Sequence, residues 1–152
     1  MDGLEAFIVR AKAAAYVGDG RAVEPSRPGA HDLVYAQDGY SYRDSYFGGT
    51  AFVGQEVVWL DDAPVWAMNY HGSVLDPELI DAAEAGQIIR RALSQLYAAG
   101  RFLGGWRWSD GAGRVYVDES DGDVGSFTGR ERIEVGDRIV YRLDYHGGLV
   151  TP

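Results

Sequence analysis

The chain has 152 residues, of which 46% are apolar, and it carries a net charge of -9 with a pI near 4.7. This length and apolar content suit one domain, spanning residues 1–152, with a core of ordinary size. The negative charge would repel phosphate backbones and anionic membrane surfaces, so we expect no nucleic-acid or membrane partner. No cysteine is present, which excludes disulfide and thiolate chemistry. No apolar run approaches the ~20 residues of a membrane span, and we expect a cytoplasmic protein.

The first part of the chain predicts a helix, a loop and four strands. An amphipathic helix ends near Gly18, and its apolar residues recur at helical spacing: Leu4, Phe7, Ile8, Ala11 and Ala15. The Gly- and Pro-rich segment 18–31 reads as a loop. Four alternating stretches then predict an antiparallel meander, over residues 32–37, 40–47, 55–60 and 65–71.

The second part of the chain repeats this order. Asp76 and Pro77 are typical of a helix start, Gly100 can end that helix, and Gly86 is a candidate break within it. Strand-like stretches follow at 102–108, 114–120, 130–135 and 138–145. We therefore predict an α+β fold in which an antiparallel sheet carries its helices on one face.

An internal duplication is indicated by direct comparison of the two parts. Residues 52–75 align with 127–150 without a gap, and eight of the 24 positions are identical, where average usage would give roughly one or two. Both copies contain F-x-G-x-E followed by Y-H-G. We interpret the chain as two pseudo-symmetric α-β-β-β-β repeats, about 1–75 and 76–152.

The second hairpin has a turn that fixes a predicted register. With Gly136 and Asp137 as a two-residue turn, counting outwards places Glu131 opposite Arg142. The same count places residue 127 opposite residue 146. A structural ion pair is the simplest interpretation of Glu131.

The ungapped alignment transfers this predicted register to the first hairpin. Phe52 is then opposite His71, and Glu56 is opposite Ala67, which leaves its carboxylate without a cross-strand partner. Because side chains alternate between faces, Glu56, Asn69 and His71 are predicted to share one face and to converge on a ligand.

Three stretches carry a resemblance to a known domain type: "SYFGGTAFVGQEVVWLDDAPVWAMNYHG", "RFLGGWRW" and "FTGRERIEVGDRIVYRLDYHGGLV". Together they resemble an uncharacterised bacterial family, a domain of unknown function also found fused behind XRE-type helix-turn-helix domains. The resemblance implies a domain type and a sensing role in relatives, and it implies no catalytic residues. This sequence departs from the fused relatives because its first helix leads directly into the domain.

The repeated histidines allow two interpretations. His71 could act as a general acid or base near neutral pH, assisted by Glu56 or Asp44. Alternatively, Y-H-G ends a strand and the imidazole is structural, which the presence of His146 at the matching point favours.

Aromatic and polar residues on the strands form the candidate ligand site. Rings with polar tips suit a pocket that holds a flat or cationic organic molecule, whereas ordinary sheet packing is the alternative. The candidate ligand-binding residues are Tyr46, Trp59, Trp66, Asn69, Tyr70, Trp106, Trp108 and His146.

Two classes of function follow. We predict a domain that binds a small organic molecule as a sensor, carrier or sequestering protein, with a homodimer as a candidate assembly. The alternative is a cofactor-independent enzyme, a cyclase, isomerase or hydrolase of a secondary metabolite, that uses His71, Glu56 and Asp44. HExxH and the nucleotide-binding fingerprints are absent, so we predict neither a metal site nor a cofactor. A protein-interaction module is a third interpretation.

Overall fold

Two α-helices and nine strands make up the fold in the computed structural model, which describes residues 2–18 and 20–151. Helix α1 (Asp2–Lys12) continues into one π-helical turn (Ala13–Val17), and α2 spans Ala82–Ala98. The strands are β1 (Arg21–Val23), β2 (His31–Gln37), β3 (Tyr40–Gly48), β4 (Ala51–Leu60), β5 (Ala63–Val74), β6 (Trp106–Ser109), β7 (Arg114–Asp123), β8 (Ser126–Val135) and β9 (Arg138–Leu149). Neither α-helix in the described residues is long and apolar enough to cross a membrane.

All nine strands belong to one antiparallel sheet, in the order β1-β2-β3-β4-β5-β9-β8-β7-β6. Each part of the chain forms a meander, and the two meanders meet where β5 pairs with β9. The predicted α+β class and the antiparallel meander are confirmed. The predicted loop 18–31 also contains the short strand β1.

Helix α2 begins later than the sequence predicts. Asp81, and not Asp76, is the N-cap: its carboxylate accepts from the backbone N–H of Glu84, and the Glu84 side chain accepts from the backbone N–H of Asp81. This reciprocal pair satisfies two backbone donors. No such pair can form at Asp76, because the residue three positions later is Leu79, whose side chain has no acceptor. The helix runs without interruption past Gly86, so the predicted break there is wrong.

Both long hairpins contain a β-bulge at equivalent positions. The register shifts between Val58 and Trp59 in the β4–β5 hairpin, and between Ile133 and Glu134 in the β8–β9 hairpin. A bulge places one extra residue on one strand and displaces every later pair by one position. The two-residue turn at 136–137 is confirmed, and the register counted from it is wrong beyond the bulge.

The corrected register gives the two glutamates new neighbours. Glu56 lies opposite Met68, and Glu131 lies opposite Leu143. The predicted ion pair between Glu131 and Arg142 is wrong, because Arg142 binds Asp144 at 2.8 Å.

The cross-strand partners of the phenylalanines in the two hairpins also differ by one position from the predicted partners. Phe52 lies opposite Gly72, and Phe127 lies opposite Gly147. The predicted pairs Phe52 with His71 and Phe127 with His146 are therefore wrong.

The shift also changes which residues share a face. We call inner the face that carries Glu56, Met68 and Tyr70, all of them buried, and outer the face that carries Asn69 and His71. A displacement of one residue moves a side chain to the opposite face. The predicted convergence of Glu56, Asn69 and His71 is therefore wrong.

The core packs residues of both helices against residues of the sheet. Phe7 and Ile8 of α1 and Leu96 of α2 are almost completely buried, as are Trp66 and Ile133 of the sheet. Burying each such side chain contributes roughly 1.5–3 kcal/mol of hydrophobic stabilisation. This packing fixes the helices above the polar residues described next.

Candidate functional site

A cavity of about 430 Å³ is lined by residues of both helices and of the inner face of the sheet. Its volume falls within the range of small-molecule pockets, about 300–1,000 Å³. The π-helical turn contributes Tyr16, and such turns are frequent at functional sites. The aromatic residues that line the cavity are Tyr16, Tyr46, Phe52, Tyr70, Tyr97 and Tyr141.

Four carboxyl groups, which we call the acidic cluster, lie on or beside the wall of this cavity. Asp44 of β3 is opposite Glu56 of β4, and Asp118 of β7 is opposite Glu131 of β8. Asp44, Glu56 and Asp118 are buried, while Glu131 keeps some accessible surface because it lines the cavity. Each half of the sheet therefore contributes one aspartate and one glutamate.

Lys12 of α1 provides a positive charge to the acidic cluster. Its Nζ lies 2.9 Å from Oε1 of Glu56, to which it donates a hydrogen bond, and 2.8 Å from Oε2. Both side chains are buried. Lys12 follows Ile8 by four residues and so lies on the buried stripe of α1. This spacing was visible in the sequence, but Lys12 was not predicted to be a site residue.

Asp44 forms a short hydrogen bond with Tyr70. The Tyr70 hydroxyl donates to Oδ1 of Asp44 at 2.6 Å, and both residues line the cavity. Burial, together with the nearby Glu56 carboxylate, raises the pKa of Asp44 to about 7. Burial and the Asp44 charge also raise the pKa of the Tyr70 hydroxyl. Asp44 can therefore gain or lose a proton near neutral pH.

The second half of the sheet repeats this arrangement. The Tyr145 hydroxyl donates to Oδ1 of Asp118 at 2.8 Å. Burial raises the pKa of Asp118 to about 6, and burial together with the Asp118 charge raises the pKa of Glu131 to about 8. The Tyr116 hydroxyl lies near Glu131 and has no hydrogen-bond partner among the described residues.

The predicted tryptophans serve mainly in packing. Trp66 is fully buried, stacks on Phe127, and donates from Nε1 to the backbone oxygen of Val124 at 3.1 Å. Trp106 and Trp108 pack against the core, and half-buried Trp59 lies outside the cavity. Of the predicted aromatic residues, Tyr46 and Tyr70 line the cavity.

The histidines lie on the opposite side of the sheet. His71, His146 and Asn69 line an open groove of about 780 Å³ on the outer face. Asn69 Nδ2 lies 3.4 Å from His146 Nε2, and His71 is opposite Asp144 in the register. The sheet separates His71 from Asp44 and Glu56, so their predicted acid–base partnership is wrong.

Two glycines make room for the central tyrosines. Gly54 is opposite Tyr70 and Gly129 is opposite Tyr145, and a Cβ at either glycine would overlap the ring of its partner. We expect Gly54→Ala to lower the free energy of unfolding by about 1–3 kcal/mol, because the crowded Tyr70 ring must move. Urea denaturation measures this loss.

The matched control for Gly54→Ala is Gly86→Ala. A Cβ at Gly86 meets no atom within 4 Å, and alanine favours a helix over glycine, so this change should stabilise the protein by about 0.5–1 kcal/mol. Equal effects of the two substitutions would show that the Tyr70 ring is not held against Gly54.

The composition of the site does not point to a metal ion. Among the described residues, no group of three or more His, Asp or Glu side chains is placed to hold one. The chemistry that the arrangement offers is that of carboxyl groups, phenols and one ammonium group.

The acidic cluster lies within a segment that matches a family model described as a domain of unknown function, DUF5680, over residues 44–150. The match covers more than two thirds of the chain. The chain belongs to this family. The match confirms the expected uncharacterised domain type, and Lys12 and Tyr16 precede the matched segment. The chain matches no curated protein and no solved structure.

Proposed function

We propose that the protein binds a small organic molecule in the cavity between the helices and the inner face. The observation that supports this function is the combination, in one cavity of about 430 Å³, of six aromatic side chains with the carboxyl groups of Asp44, Glu56 and Glu131. Aromatic rings offer area for stacking, and a few polar groups fix the orientation of a ligand. The predicted small-molecule function thus rests on a different set of residues from the predicted histidine site.

A route for a ligand is available at one end of the cavity. Gly48, the last residue of β3, and Gly49, in the turn that follows it, line the cavity and are exposed, as is Arg90 of α2. The cavity therefore opens to solvent between this turn and α2. A ligand can enter without unfolding the core.

A thermal-shift screen of organic metabolites tests this proposal. A ligand at 100 times its Kd adds about 2.7 kcal/mol, which should raise the Tm of a chain of this size by roughly 5–10 °C. Gly86→Phe should abolish the shift, because Gly86 lines the cavity and a large ring there fills it. Gly86→Ala is the matched control and should keep the shift. A shift that survives Gly86→Phe would place the ligand elsewhere.

A second function is favoured by the Asp44–Tyr70 pair. A carboxyl group with a pKa of about 7, bonded to a phenol in a cavity, suits proton transfer to or from a bound molecule. The protein would then be a cofactor-independent enzyme that uses Asp44 and Tyr70. Asp44→Asn should abolish turnover of a bound compound, followed by mass spectrometry, and change its Kd less than tenfold.

We also infer that the fold is an internal duplication with both helices on the inner face. This inference is supported by features that recur 75 residues apart in the chain. The bulge in the first hairpin and the pair Gly54–Tyr70 are matched by the bulge in the second hairpin and the pair Gly129–Tyr145. Residues of both helices line the cavity beside residues of the inner face. A cytoplasmic location, a bacterial source and a sensing role stay predictions.

A further inference from the structure

We propose that the ligand of this cavity is an organic cation and that Glu131 is its principal counter-ion. This inference rests on the proposed function and names the chemical class of the ligand. It depends on the balance of charge around the cavity, on buried acceptor atoms that lack donors, and on the aromatic residues nearest Glu131.

The cavity wall holds more negative than positive groups. Three carboxyl groups of the acidic cluster line the cavity, those of Asp44, Glu56 and Glu131. The cationic groups that line it are Lys12, whose ammonium lies against both oxygens of Glu56, and the exposed Arg90. Among the described residues, no lysine or arginine forms an ion pair with Asp44, Asp118 or Glu131. Buried carboxylates need a paired charge or a proton, and a cationic ligand would supply the charge.

Two buried polar atoms beside the cavity wall lack a hydrogen-bond partner among the described residues: Oδ2 of Asp118 and the Tyr116 hydroxyl. Glu56, in contrast, is paired, because Lys12 Nζ lies 2.8 Å from its Oε2. Asp118 is opposite Glu131 in the register, so a cation next to Glu131 would also stabilise a buried charge on Asp118.

Two tyrosines line the cavity near Glu131. Burial raises the pKa values of Tyr97 of α2 and Tyr141 of β9, and the nearby charge of Glu131 raises them further. Both residues line the cavity. An ammonium group beside a tyrosine ring is stabilised by cation–π attraction, and more so where water is excluded. The same position offers a carboxylate and ring faces.

Binding of a cation should release protons. The charged and titratable groups that face Glu131 are Asp118 and Tyr116 on β7, Lys12 on α1, Tyr97 on α2, Tyr141 and Tyr145 on β9 and Glu56 on β4. The pKa of Glu131, about 8, keeps this group mostly protonated at pH 7. A bound cation favours the carboxylate, so affinity should rise about tenfold from pH 6 to pH 7 for one proton released.

The test uses three probes of equal size and different charge: phenethylamine, 2-phenylethanol and phenylacetate. Isothermal titration calorimetry at pH 6, 7 and 8 should give the amine a Kd at least tenfold lower than the alcohol, with no binding of the acid. Glu131→Gln should raise the Kd of the amine at least tenfold and leave the Kd of the alcohol unchanged. It should also remove most of the pH dependence of amine binding. Glu24→Gln, at an exposed position in the loop after β1, is the matched control.

The outcomes separate this inference from the proposed function. Equal binding of the alcohol and the amine, or an unchanged amine Kd in Glu131→Gln, overturns the cation inference and leaves cavity binding in place. Failure of the amine to bind also overturns it. Cavity binding then depends on the wider thermal-shift screen, and both proposals fail if that screen finds no compound whose shift Gly86→Phe removes.

Discussion

Lys12→Met is expected to lower the free energy of unfolding by about 3–5 kcal/mol at pH 7, because it leaves the buried Glu56 carboxylate without its partner. Methionine keeps the length of the apolar stem, so the loss reports mainly the charge. Urea denaturation measures it.

Two further variants make the Lys12 prediction specific. Arg10→Met removes a positive charge from the exposed side of the same helix and should change stability by less than about 0.5 kcal/mol. Lys12→Met combined with Glu56→Leu removes both charges and should recover much of the loss, since a buried ion pair can often be replaced by apolar residues. A loss below 1 kcal/mol in Lys12→Met alone would contradict the buried pair.

The free energy of unfolding is also expected to fall as the pH rises from 5 to 8. Burial raises the pKa values of Asp118, Asp44 and Glu131 to about 6, 7 and 8, above their values in the unfolded chain. The folded state therefore binds more protons than the unfolded state in this range, and stability is lost as the pH passes through the folded pKa values. The total fall should be on the order of several kcal/mol. Denaturation at half-unit pH steps measures it.

Glu131→Gln isolates one part of this pH dependence. Glutamine cannot ionise, so the variant should be more stable than the wild type at pH 8 and should show a shallower fall between pH 6 and 8. Glu24→Gln should leave the profile unchanged, because Glu24 is exposed and lies outside the acidic cluster. A flat or rising wild-type profile would mean that the acidic cluster does not hold protons in the folded state.

The sequence predicts the fold class well and the register poorly, for one physical reason. Alternating stretches and a two-residue turn are local signals, and they correctly predict the meander and the turn at 136–137. Counting outwards from the turn does not detect the bulges next to Val58 and Ile133, which shift the register inside the hairpins. Because a strand has a period of two, one extra residue moves Glu56 from the predicted outer group to the inner face.

The sequence predicted some of the residues of the site but not which of them lie together. Asp44, Glu56, Tyr46 and Tyr70 were named from the sequence, and all four line the cavity. The interaction between Glu56 and Lys12 joins residues 44 positions apart, so it depends on the tertiary fold. The other half of the acidic cluster was missed because Glu131 had been assigned to an ion pair that the bulge prevents.

The outermost strands of the sheet, β1 and β6, have three and four residues, whereas β5 and β9 in the middle have twelve each. Short outer strands present few free backbone groups to another chain, which protects a large sheet against aggregation by strand addition. Self-association of this protein is therefore expected to leave the sheet at nine strands. A homodimer would then join copies through side chains.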